Sequence, residues 1–99
     1  MERGDELMAV SVEEVAQFLE LEKNKTIEEG LKALLEKKLR EVRSEILSIC
    51  LRYEVSSLQE LDEKVNRGEL YETDTFEDFT RLDFLEDAQE RIKELKNKL

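Results

Sequence analysis

The sequence contains no histidine. That absence removes the side chain best suited to proton transfer near neutrality and the commonest metal ligand, and with them most hydrolase triads and zinc sites. Carboxylates are plentiful, 26 Asp and Glu against 16 Lys and Arg. Asp74, Glu77 and Asp78 lie close together, and Glu86 and Glu90 stand one helical turn apart. A carboxylate-bridged di-iron centre needs Glu-x-x-His pairs, and a calcium loop needs alternating oxygen ligands, a central glycine and a terminal Glu. Neither pattern is present, so these acids read as solvated charge, and no metal or cofactor is expected. Gly4, Gly30 and Gly68 are isolated, which leaves no glycine-rich phosphate loop. Cys50 falls on an apolar helix face without a partner base, the setting of a packing thiol rather than a nucleophile. Acid pairs cleave glycosides in some enzymes, but they need a substrate cleft that a narrow helical protein does not supply. The chain is expected not to be an enzyme.

The charge is unevenly distributed around a net value of −10. Residues 54–90 hold thirteen acids and three bases, whereas residues 23–53 hold eight bases and five acids. Non-specific nucleic-acid binding requires a basic surface, so nucleic acid is not the expected partner. The acidic stretch interleaves carboxylates with aromatics: Tyr71, Glu72, Asp74, Phe76, Glu77, Asp78 and Phe79. That composition suits docking on a basic, apolar-lined partner, with the aromatics as anchors and the acids steering the encounter. It equally suits a helix N-terminus whose acids complement the helix dipole while the aromatics pack inward. Tyr71, in the connector, is expected to be the most exposed.

The elements that would position these residues are legible from caps and periodicity. No proline is present. Ser11 with Glu14, Thr26 with Glu29 and Ser57 with Glu60 have capping-box spacing, and Val10 with Val15 has that of a hydrophobic staple. Asn24 suits a left-handed helix end, and Gly68 suits another. Leu35, Leu39, Val42, Ile46, Ile49 and Tyr53 recur at four and three, a heptad seam, and Leu34, Leu47, Cys50 and Leu51 widen it. Leu58, Leu61 and Val65 mark a short helix. Leu85, Ala88, Ile92, Leu95 and Leu99 continue a last one. The spacing predicts one all-α domain over residues 1–99, with helices at about 11–22, 26–54, 57–67 and 75–98 and residues 1–10 open to disorder. The architecture expected is a helical hairpin or bundle of coiled-coil type, its two long helices antiparallel and its two short ones flanking.

The segment Lys64-Val65-Asn66-Arg67-Gly68-Glu69-Leu70, followed by Phe76-Glu77-Asp78-Phe79 and then Leu82, Asp83 and Leu85, resembles small archaeal and bacterial antitoxins or antitoxin-like partner proteins. The resemblance covers about the last forty residues. It implies a non-enzymatic acidic helical region that covers a basic, toxin-like partner protein. Such proteins often open with a basic DNA-binding ribbon, and Leu7 to Val12 carries no Lys or Arg, so a DNA-binding regulator is the least favoured role.

A stripe as wide as the seam needs cover on both sides, and a second copy would supply it. A homodimer is therefore expected, with Leu35, Leu39, Val42, Ile46 and Ile49 in its interface, and a structural coiled-coil subunit is the alternative role. No apolar run approaches the roughly 18 residues of a membrane span, and the N-terminus lacks the basic, apolar character of a signal peptide. A soluble cytoplasmic protein is expected, of a Lys- and Glu-rich composition resembling that of thermophile proteins.

Overall fold

The computed structural model describes the backbone of residues 2–99 and the side chains of residues 11–99. The disorder expected over residues 1–10 and the Val10 half of the staple lie outside the side chains described. The chain is all-α: helix α1 spans Glu2–Tyr53, α2 Leu58–Asn66 and α3 Glu72–Asn97, with no strand among the described residues. Among those residues, no helix is long and apolar enough to cross a membrane.

Three helices replace the four expected, because the segments 11–22 and 26–54 are one continuous α1. Among the described residues, positive backbone φ occurs at Glu54 and Gly68, so Asn24 does not terminate a helix. The reason is energetic. Asn and Thr inside a helix cost only a few tenths of a kcal/mol, whereas a break would strip eight backbone groups of helical partners. The last helix begins at Glu72, a turn before the expected Thr75. Thr75 is buried and its hydroxyl donates back to the carbonyls of Tyr71 and Glu72, both at 3.2 Å, so it cannot serve as a cap.

The chain divides into two compact units, Met1–Ala33 and Leu34–Leu99. In the first, the described residues all belong to α1. In the second, Leu39, Val42, Ile49 and Cys50 of α1 pack with Leu61 of α2 and with Leu82, Leu85 and Ile92 of α3. Cross-helix ion pairs join Glu36 to Lys96, Glu45 to Arg81 and Arg52 to Asp78, so partners descend along α3 as they ascend along α1. This packing corrects the expected dimer seam. Leu39, Val42 and Ile49 are buried within the chain, and Leu35 and Ile46 are half-buried against the same cluster. Of the residues expected to widen the stripe, Cys50 is buried while Leu34, Leu47 and Leu51 are exposed.

The short helix α2 is fixed at both ends. Ser57 accepts a hydrogen bond from the Glu60 amide at 3.2 Å, the hydroxyl half of the expected capping box. The Glu60 carboxylate reaches the amide and hydroxyl of Ser56 rather than the Ser57 amide. Glu86 of α3 accepts from the first α2 amide, Leu58 N–H, at 2.8 Å. At the other end Gly68 takes φ +78°, with Gly68 N–H to Val65 C=O at 3.0 Å and Glu69 N–H to Lys64 C=O at 3.0 Å, a Schellman motif. α1 ends the same way with Glu54 at φ +56° in the glycine position, Val55 N–H donating to Cys50 C=O at 2.9 Å. Lys64 Nζ donates to the Tyr53 and Glu54 carbonyls at 2.9 and 3.3 Å, placing a cation on the negative end of α1.

Two substitutions should therefore move stability in opposite directions. Leu82→Ala removes a fully buried side chain and should cost about 2–5 kcal/mol. Glu54→Gly relieves a left-handed residue that has a Cβ and should gain up to about 1 kcal/mol. Urea unfolding followed by circular dichroism reads both.

Candidate protein-binding surface

The acidic aromatic segment occupies the first turns of α3, and the helix sorts it into two faces. Successive residues rotate by about 100°, so Thr75, Asp78, Phe79 and Leu82 share one side and Phe76, Thr80 and Phe84 share the opposite one. The first side is turned into the second unit: Thr75 and Leu82 are buried, and Phe79 is half-buried against the core cluster. On the opposite side Phe76 and Phe84 remain 64 % and 60 % exposed, and Tyr71, just before the helix, is 79 % exposed. Of the three aromatic anchors named from sequence, Tyr71 and Phe76 thus face solvent, and Phe79 belongs to the interior.

Asp78 likewise leaves the set of steering acids. It accepts hydrogen bonds from Arg52 Nη1 at 2.6 Å and from the Tyr53 hydroxyl at 2.5 Å. The Tyr53 hydroxyl, and then the Arg52 guanidinium, hold the Asp78 carboxyl below the usual carboxylate range. The same bond and partial burial push the Tyr53 phenol up. Glu72, Asp74 and Glu77 stay exposed, and among the described residues no cation lies within ion-pair distance of them. The cation one turn beyond Glu77, Arg81, is committed elsewhere. Its guanidinium donates to both oxygens of Glu45, at 2.6 and 2.8 Å, and lies 5.3 Å from the Phe84 ring centroid. Arg81 in turn holds the Glu45 carboxyl below its ordinary value.

A groove of about 170 Å³ opens beside Phe76, lined by Asp62, Val65 and Asn66 of α2 and by Glu72, Thr75, Phe76 and Phe79 of α3. Its acids at the rim and apolar floor offer a place for a side chain with an aliphatic stem and a cationic head, as in Lys or Arg. The α2 contribution and Phe84 were not legible in the sequence, because the spacing within one helix does not show which neighbour it packs against. Among the described residues no group of three Asp, Glu or Cys is arranged to hold a metal ion. Cys50 is buried, and desolvation, followed by the negative charge of Glu86 and Glu60, pushes its thiol up, away from nucleophilic reactivity.

Comparison with known proteins places the chain by family. Residues 7–99 match the family described as the uncharacterised protein MJ0235 family. The chain belongs to this family. A relative from Methanocaldococcus jannaschii, itself called uncharacterised protein MJ0235, is 32 % identical over 68 residues, which are 69 % of this chain and 83 % of the relative. No solved structure matches.

The Asp78 site gives the MJ0235-family protein a defined response to pH. A carboxyl whose folded pKa is depressed adds stability above its unfolded pKa, and that contribution is lost as pH falls through the folded value. The raised Tyr53 phenol behaves oppositely, its contribution being present below the ordinary phenol range and lost as pH rises through the folded value. Asp78→Asn should therefore destabilise by roughly 1–2 kcal/mol near neutral pH, the difference from wild type narrowing as pH falls below the ordinary carboxylate range. Urea titrations over that range measure it.

Proposed function

We propose that this protein is a non-enzymatic, acidic helical interaction module that binds a basic partner protein through the outer surface around residues 69–84, in an antitoxin-like manner. One observation carries this reading: Tyr71 and Phe76 stand exposed among Glu72, Asp74 and Glu77, with which no cation among the described residues forms an ion pair. An aromatic side chain buries about 150–250 Å² when covered, enough to anchor an interface, while exposed acids raise the encounter rate with a basic surface. The groove between α2 and α3 adds a pocket of matching character. In this reading α1 and α3 form an antiparallel hairpin with α2 as its turn, a rigid support for the surface. The buried, unpaired Cys50 is compatible with the reducing cytoplasm, in which we place the protein.

A structural, self-associating helical subunit is the second reading. It is favoured by the exposed row Val12, Val15, Leu19, Ile27 and Leu31 on α1.

The test uses the whole chain as bait in an extract of its source cells, followed by kinetics with the captured protein. Tyr71→Ala should weaken binding about tenfold or more, with an unchanged unfolding midpoint. Glu72→Lys combined with Glu77→Lys should slow association, most strongly at low salt. Affinity that survives both changes would reduce residues 69–84 to a helix N-terminus with a core behind it.

A further inference from the structure

In the unit Met1–Ala33, Val12, Val15, Leu19, Ile27 and Leu31 are between 48 % and 59 % exposed, although they recur on one side of α1. At 100° per residue, Val12, Ala16, Leu19, Lys23, Ile27 and Gly30 fall in one row, with Val15 and Leu31 on its two shoulders. The row reads alike from either end. Counted from Lys23, Leu19 mirrors Ile27, Ala16 mirrors Gly30, and Val15 mirrors Leu31.

Gly30 supplies an independent sign of what covers this row. Glycine inside a helix costs about 0.8–1 kcal/mol relative to alanine. Apart from its neighbours in sequence and the backbone of its own helix, nothing among the described residues lies within 4 Å of the position a Cβ would take, so no packing contact there requires glycine. A second helix passing close to the backbone would. Ala16 leaves a matching shallow hollow of about 340 Å³, lined by Ser11, Val12, Val15 and Leu19 besides itself.

Charge selects the direction. Residues 11–22 carry four Glu and no base, whereas residues 23–33 carry three Lys and two Glu. Lys25 and Lys32 lie on the side of α1 away from the row, and the charges beside it are Glu13, Glu20 and Lys23, so parallel copies in register would stack Glu13 on Glu13 and Glu20 on Glu20, whereas antiparallel copies separate those pairs. We propose that this stretch of α1 pairs with the same stretch of a second copy, antiparallel about a two-fold axis at Lys23, each Ala16 set against the other's Gly30. The two Lys23 side chains then lie within one turn of the partner copy's Glu20. This pairing is independent of the surface on α3, and either can fail alone.

The experiment uses the full chain with Cys50→Ala, so that each introduced cysteine is single. Sedimentation equilibrium should find a dimer at concentrations on the order of 10 µM, a range typical of specific self-association. Under mild oxidation Lys23→Cys should cross-link to itself. Ala16→Cys should not, because its two copies would be about 21 Å apart at 1.5 Å per residue. A mixture of Ala16→Cys and Gly30→Cys should cross-link to each other. Gly30→Leu should weaken dimerisation at least tenfold while favouring the isolated helix, and Leu19→Lys with Ile27→Lys should give a monomer whose unfolding midpoint matches that of the wild type diluted to monomer. A monomeric wild type, Ala16→Cys cross-linked to itself, or a dimer indifferent to Gly30→Leu and to the double lysine change would each overturn the proposal.

Discussion

Leu61 of α2 and Leu82 and Leu85 of α3, fully removed from water against Leu39, Val42, Ile49 and Cys50 of α1, are the contact on which the second unit depends. Each leucine contributes about 1.5–3 kcal/mol by burial. A nine-residue α2 has too few internal bonds to persist alone, so it exists because its apolar face is taken up. Once Leu61 is seated, the two faces of α3 are decided. Leu82 and Leu85 must point inward, which carries Phe79 and Asp78 with them and leaves Phe76 and Phe84 outside.

Polar ties at the helix ends then fix the arrangement that burial favours. Lys64 closes the carbonyl end of α1, Glu86 closes the amide end of α2, and Asp78 joins α3 to Tyr53 and Arg52. Each tie connects consecutive or facing helices through a charged group and a backbone or phenolic partner, geometries more directional than apolar packing. The surface pairs within one helix, such as Lys38 with Glu41 or Arg91 with Glu94, are exposed and contribute little by comparison. Asp78 shows how one carboxylate among many acquires a structural role: two donors converge on it from the end of α1, while Glu77 beside it meets none among the described residues.

Sequence signals were informative where the cause is local. Ser57 and Gly68 bound α2 as their types require, since a cap and a left-handed turn involve only a few consecutive residues. Glu54 hid the end of α1, because a glutamate occupies a position that glycine usually marks. Thr26 with Glu29 misled for the opposite reason: capping-box residues also sit comfortably inside a helix, and only the backbone dihedrals separate the two uses. The heptad seam from Leu35 to Tyr53 was read correctly as a buried stripe and assigned to the wrong cover, since periodicity shows that a face needs a partner without showing whether it comes from the same chain. Tyr71 could be placed outside because no helical row claimed it, whereas Phe79 and Asp78 needed the position of α1.

The two surfaces left uncovered differ in physical kind, and that difference follows from the sequence. For the basic partner proposed around residues 69–84, the attraction would be largely Coulombic at a distance, its steering screened as the Debye length falls to about 8 Å at physiological salt. Along residues 11–33 the driving force is apolar burial opposed by the self-repulsion of chains bearing a net charge of −10. Salt weakens that repulsion and leaves the burial intact. The exposed acids around residues 69–84 suit the proposed basic partner and oppose contact between like chains, and the proposed antiparallel register limits that opposition by separating Glu13 and Glu20 from their counterparts and setting Lys23 within a turn of the partner copy's Glu20. One charge distribution thus bears on both proposals, the basic partner around residues 69–84 and the direction in which two copies would lie together.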